Sequence, residues 1–144
     1  MELIFERANT SDISAIYQQS CELVRTYEDA ELLNIEKVLH WLAEKIEKNI
    51  SDYTRVTKDG IVVAYYRFIM EEESAELDDL YVMPEFRGCG IGSAILSKCR
   101  NETSLPIVLY VFNRNTGAIS LYQRHGYVFD KKVSPTRSLM VNRT

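Results

Sequence analysis

The stretch PEFRGCGIG, residues 84–92, places three glycines within five residues behind an arginine. Glycines at this density cost chain entropy and bury nothing, so the stretch serves a backbone shape. On its N-terminal side, AELDDLYV (75–82) alternates as a strand. Leu77, Asp79 and Tyr81 fall on one face, and Asp78, Leu80 and Val82 on the other. On its C-terminal side, Ile91, Ala94, Ile95 and Cys99 recur at helical spacing, and the helix stops before Pro106. The glycines therefore occupy a strand-to-helix turn. A helix N-terminus carries unpaired N–H groups and a positive dipole end. Glycines let that backbone approach a ligand, and Arg87 adds a cation, a combination suited to phosphate.

Towards the N-terminus, LIFER reads as a short strand and NTSD (Asn9 to Asp12) offers N-caps. Ile13, Ile16, Tyr17, Leu23, Val24 and Tyr27 then mark one helix, and Ile35, Val38, Leu39, Leu42 and Ile46 a second. The acidic TYEDAELLN joins them. YTRVTKDGIVVAYYRFIM reads as two strands turning at Asp59-Gly60, and the polar turn MEEES leads into the strand of residues 75–82. Towards the C-terminus, IVLYVF (Ile107 to Phe112) is a continuous apolar run, as expected of a strand covered on both faces. NTGAISLYQRHG is a short helix with Gly126 as its stop, and YVFDKKV and TRSLMV close the chain as strands. The order β-α-α-β-β-β-α-β-α-β-β predicts a single α/β domain over residues 1–144, with a mixed sheet of about seven strands flanked by about four helices.

Composition narrows the function. The chain has 144 residues, 46% of them hydrophobic, and a formal charge of −4, which disfavours a nucleic-acid binder and suits a cationic substrate. No apolar run reaches the roughly 20 residues of a membrane span, so no membrane partner is expected. MELIFERANT has no basic stretch followed by an apolar one, so no signal peptide is expected. Cys21, Cys89 and Cys99 are odd in number and lack metal spacing. They read as free thiols, which predicts a reducing, cytoplasmic location. With only His40 and His125, a zinc site or a histidine triad is poorly supplied, and no metal is expected.

Two familiar phosphate loops do not fit. The nucleotide P-loop ends in Gly-Lys-Ser/Thr, whereas Ser93 and Ala94 follow Gly92 here. The dinucleotide fingerprint spaces its glycines differently and turns directly from the first strand. A ligand-free glycine turn is the plain alternative. However, Arg87, Gly90 and Gly92 form R-x-x-G-x-G after a strand. That resembles the acyl-CoA pyrophosphate loop of the GNAT acetyltransferases, Gln/Arg-x-x-Gly-x-Gly/Ala. NTGAISLYQRHGY resembles a second segment of that family through Asn115, Ala118, Leu121, Tyr122, Gly126 and Tyr127. The element order also matches the GNAT fold, and the likeness is strongest from Ala75 to Phe129.

The resemblance implies acetyl-CoA as cosubstrate and an N-acetyltransferase acting on a small-molecule or peptide amine. A non-catalytic acyl-CoA sensor is the alternative, and family members are often homodimers. It implies that Leu80, Tyr81 and Val82 offer backbone to pantetheine as an added strand would. The N–H near Leu80 would then hold the thioester oxygen. Gly88, Cys89, Gly90, Ile91, Gly92 and Ser93 would face the pyrophosphate beside Arg87, and the Cys89 thiol would stay inert. Tyr122 would protonate the departing thiolate, where a core tyrosine is the plain reading. Asn115 would contact pantetheine or cap its helix.

Several members of the family carry a glutamate where Glu76 stands, eleven residues before Arg87, so the resemblance implies Glu76 as the base, with a solvated acid beside MEEES as the plain reading. It shares a face with Asp78 and Leu80 on an ideal strand, roughly 13 Å from Leu80, so Asp78 is nearer. His40 and His125 read as structural or surface residues, and Trp41 lines the acceptor side or simply packs. Glu28, Asp29 and Glu31 form an acidic mouth or a solvated loop.

Overall fold

The computed structural model describes residues 2–31 and 34–144; Leu32 and Leu33 of the acidic connection lie outside them. Seven strands and four α-helices are seen among the described residues: β1 (Ile4–Arg7), α1 (Ile13–Tyr27), α2 (Ile35–Lys48), β2 (Tyr53–Lys58), β3 (Ile61–Met70), β4 (Ala75–Val82), α3 (Ile91–Glu102), β5 (Ile107–Phe112), α4 (Thr116–Arg124), β6 (Val128–Lys132) and β7 (Arg137–Asn142). They form one mixed sheet in the order β1-β2-β3-β4-β5-β7-β6. Among the described residues only β4 and β5 run parallel, and the α3 crossover joins them.

Local chemistry explains the boundaries. The Asn9 side chain accepts from Ser11 N at 2.9 Å, and Asp12 Oδ2 accepts from Asn9 N at 2.9 Å, which closes a capping box ahead of α1. Asp59 and Gly60 both have positive φ, 53° and 78°, as the two-residue hairpin turn requires. At the end of α4, Gly126 takes φ 88°. Tyr127 N there donates to Tyr122 O, and Gly126 N to Gln123 O, the paired bonds of a Schellman stop.

Each face of the sheet carries its own core. On one face α3 and α4 bury Ile91, Ile95, Leu96, Cys99 and Tyr122 against Leu77, Leu109, Val111 and Met140. On the other, α1 and α2 bury Ile16 and Ile46 against Tyr53 and Tyr65.

Two expectations about faces are corrected. The β4 alternation fails because the strand bulges. Tyr65 pairs with Tyr81 but Arg67 pairs with Asp78, so β4 carries one extra residue, and Asp79 sits at φ 52°. The phase flips there. Asp78 and Asp79 both reach Lys45 of α2, while Leu77 and Leu80 both pack into the α3–α4 core. Glu76 and Leu80 consequently do not share a face. Nor is β5 covered on both faces: Ile107, Leu109 and Val111 are buried, but Tyr110 is 42% exposed. Helix α1 reaches the end of β5, where Tyr27 stacks on Phe112 at 5.9 Å between ring centroids, while Tyr110 on the same face stays open.

Candidate active site

Strands β4 and β5 pair only at Ala75–Ile107 and Glu76–Val108. Beyond Glu76 they part, and the rest of β4 has no ladder partner on that side. The gap opens a cavity of about 440 Å3. Its lining comes from both faces of the sheet: Trp41 and Lys45 of α2 on one, Asn115 at the start of α4 and Tyr122 within it on the other. The cavity thus runs through the sheet.

Tyr122 is buried to 8% exposure, and its ring packs 5.9 Å from that of Tyr127. Burial, and after it the charge of Asp78, raises its phenol above the ordinary tyrosine range, which keeps it a proton donor. On the strand, Glu76 is half-buried. Its carboxyl is raised first by burial and then by Asp78 and Glu71, against the pull of Arg67 and Lys45.

An ion-pair strut braces the bulge. Lys45 Nζ lies 2.5 Å from Asp78 Oδ2 and 3.3 Å from Asp79 Oδ2, and the Tyr53 hydroxyl donates to Asp79 Oδ2 at 2.6 Å. Burial opposes the Lys45 charge, but Asp79 and Asp78 outweigh it and raise its pKa. The Asp79 carboxyl is raised by burial and by Asp78, with Lys45 and Tyr53 opposing. Lys45, Asp79 and Arg67 all line the cavity and were missed from the sequence. The signal for the strut was the consecutive pair Asp78-Asp79 in mid-strand, which a regular strand cannot bury on one face.

Arg87 to Ser93 are absent from the cavity lining; they follow β4 into the start of α3. Gly88 and Gly90 have φ 77° and 83°, and a Cβ at either would stand in open space. Gly90 is the N-cap of α3, and no side chain caps the helix. Its first N–H groups are thus left for water or an anion. Gly92 also meets a packing demand: a Cβ there would come within 2.9 Å of Leu121 Cδ2 on α4. Arg87 is held ready, its Nε donating to Val82 O at 3.0 Å and its guanidinium lying 5.1 Å from the Tyr81 ring centroid. The Tyr81 hydroxyl in turn donates to Glu22 at 2.9 Å.

The remaining expected residues divide. Asn115 makes the cap bond, accepting from Ala118 N at 3.3 Å, and also lines the cavity. Leu80 and Trp41 line it too, with Trp41 58% exposed. Cys89 is an exposed free thiol, and His40 pairs with Glu44 on the surface of α2. Among the described residues no group of three or more His, Cys, Asp or Glu is placed to hold a metal ion, and no helix is long and apolar enough to cross a membrane.

The chain has relatives among known proteins. A family model, Acetyltransferase (GNAT) domain, matches residues 38–129, more than half of the chain. The uncharacterized protein YxbD of Bacillus subtilis is 31% identical over 86 residues, which cover 57% of this chain and 53% of that protein. An amino-acid acetyltransferase of Haemophilus ducreyi is 26% identical over 135 residues, 88% of this chain but 30% of its own length. The chain thus spans about half or less of these two relatives. Among solved structures, the PaiA N-acetyltransferase of Thermoplasma acidophilum, in complex with coenzyme A, superposes with a TM-score of 0.75 and 18% identity over 100% of both chains.

Proposed function

Because the chain belongs to the GNAT acetyltransferase domain family, we propose that it transfers an acetyl group from acetyl-CoA directly to the nitrogen of an amine. The observation that carries this reading is the parting of β4 from β5, which brings Tyr122 and Glu76 to one cavity through the sheet. A sensor that only binds an acyl-CoA has no use for a dry phenol at that place.

The residues fit the cosubstrate. The uncapped start of α3, with open space at Gly88 and Gly90, suits a pyrophosphate, and Arg87 adds charge. The edge of β4 from Leu80 to Val82, unpaired with β5 and with its Val82 carbonyl held by Arg87, suits the amides of a pantetheine arm. When bound, acetyl-CoA supplies the activated thioester. The N–H near Leu80 steadies the thioester oxygen. Glu76 takes one proton from the acceptor ammonium, directly or through water, and passes it to solvent. Tyr122 gives a proton to the departing sulfur and regains one from the nitrogen as the N–C bond forms and the C–S bond breaks. Its free thiols, two of them buried, support placing the protein in the reducing cytoplasm.

The deciding experiment is a thermal melt with CoA beside thiol release from acetyl-CoA across a panel of amines. A ligand at 100 times its Kd stabilises the native state by about 2.7 kcal/mol. Gly90→Asp sets a carboxylate at the pyrophosphate position, and aspartate tolerates positive φ better than most residues. The variant is expected to fold and to lose most of that protection; full protection of the folded variant would remove the cradle assignment.

A base must be deprotonated to act. With its carboxyl raised, Glu76 is expected to give a kcat/KM that climbs with pH through a midpoint above the usual glutamate range. Glu76→Gln is expected to lower turnover at neutral pH about 100-fold, flatten that limb and spare acetyl-CoA affinity. A variant that keeps both rate and profile would move the role to Asp78.

A further inference from the structure

One cation of the cavity has no acid. Lys45 is held by Asp78 and Asp79, and Arg67 by Asp52 and Asp78. Arg137, which opens β7, lines the same cavity yet meets no carboxylate at ion-pair distance among the described residues. It is half-buried, and its guanidinium lies 5.2 Å from the ring centroid of the exposed Tyr110. An aromatic face holds a guanidinium in place without neutralising it.

Register places this cation on the same sheet face as Glu76, the proposed base. Glu76 pairs with Val108, and Tyr110 lies two residues further along β5, about 7 Å away. Arg137 pairs with Phe112 and leans back over Tyr110. The sheet face around Tyr110 therefore carries a carboxylate from β4 on one side of β5 and an unneutralised guanidinium from β7 on the other. Glu28, which also lines the cavity, accepts a hydrogen bond from the Thr136 hydroxyl.

Building on the acetyl-transfer reading, we propose that the acceptor is a small amine that also carries a carboxylate, an amino acid in the chemical sense, and that Arg137 receives the carboxylate. The ammonium then lies towards Glu76, and the two ends of the zwitterion fix which nitrogen reaches the gap. Arginine suits the task because its planar fork binds a carboxylate through two parallel N–H bonds. A diamine fits less well, since its second ammonium would stand against Arg137.

The test compares matched acceptors that share one side chain: the amino acid, its carboxamide and its decarboxylated amine, with a linear diamine beside them. Thiol release gives kcat/KM for each with wild type, Arg137→Gln and Arg137→Lys, and a CoA melt is run on every preparation. Wild type is expected to favour the amino acid. In Arg137→Gln the ratio of amino acid to carboxamide is expected to fall 10- to 100-fold, the range for losing a hydrogen bond to a charged group, mostly through KM. Arg137→Lys is expected to recover part of it. Equal or better use of the decarboxylated amine or the diamine by wild type overturns the proposal, as does an unchanged ratio in Arg137→Gln. CoA protection without turnover of any amino acid overturns the acceptor class and leaves the cosubstrate standing; absence of CoA protection removes both.

Discussion

Tyr122→Phe is expected to lower turnover about 100-fold, the usual contribution of a positioned general acid, while CoA affinity stays within about twofold. A thiol of pKa about 8.5 departs as thiolate, and a phenol of pKa about 10 or above donates to it when held in line. Burial keeps the Tyr122 phenol above that ordinary value, so the proton is present throughout the neutral range. The variant removes one hydroxyl and keeps the ring against Tyr127, and the Schellman stop is made by backbone alone. Helix α4 is therefore expected to survive. Steady-state kinetics and CoA titration on one preparation check the outcome. Near-native turnover would make Tyr122 a packing residue, with water or the acceptor protonating the sulfur.

Lys45→Met is expected to destabilise the fold by about 3 kcal/mol, the lower end for removing one partner of a buried pair. That corresponds to a Tm lower by roughly 10 °C in a chain of this size. Lys45 answers two carboxylates whose side chains are 20% and 18% exposed, and methionine fills its volume but leaves Asp79 with the Tyr53 hydroxyl alone and Asp78 with Arg67 at 3.7 Å. The penalty has a pH signature. A carboxyl whose pKa is higher in the folded than in the unfolded state binds more protons when folded, so stability rises as pH falls. Asp79 is already raised and loses an opposing charge in the variant. The Tm gap to wild type is therefore expected to narrow from pH 8 towards pH 5. Melts across that interval check it; a gap independent of pH would mean that the strut contributes packing and no charge pairing.

How far the sequence reached differs from feature to feature. The element order was legible because its signals are local. Asp59-Gly60 turns a hairpin wherever it stands between strands, Asn9 caps its own next turn, and Gly126 stops α4 through its own φ. The glycine turn before α3 was legible through its spacing, and the aromatic on α4 through its likeness to the family's second segment. A packing demand at Gly92 was not legible, because the atom a Cβ would meet there belongs to Leu121, on another helix.

The bulge in β4, the parting from β5 and the lone cation could be decided only in three dimensions. LDDLYV alternates acceptably as written. The extra residue enters because Asp79 bonds Tyr53, 26 residues away, and Lys45, 34 residues away, and no local pattern encodes those partners. Arg137 became a candidate only when the pairing of every other cation in the cavity was known. Hydrophobic period and turn chemistry depend on neighbours along the chain and can be read from it. Charge compensation in a cavity depends on neighbours in space, so it is settled when the sheet and its two helix layers close around it.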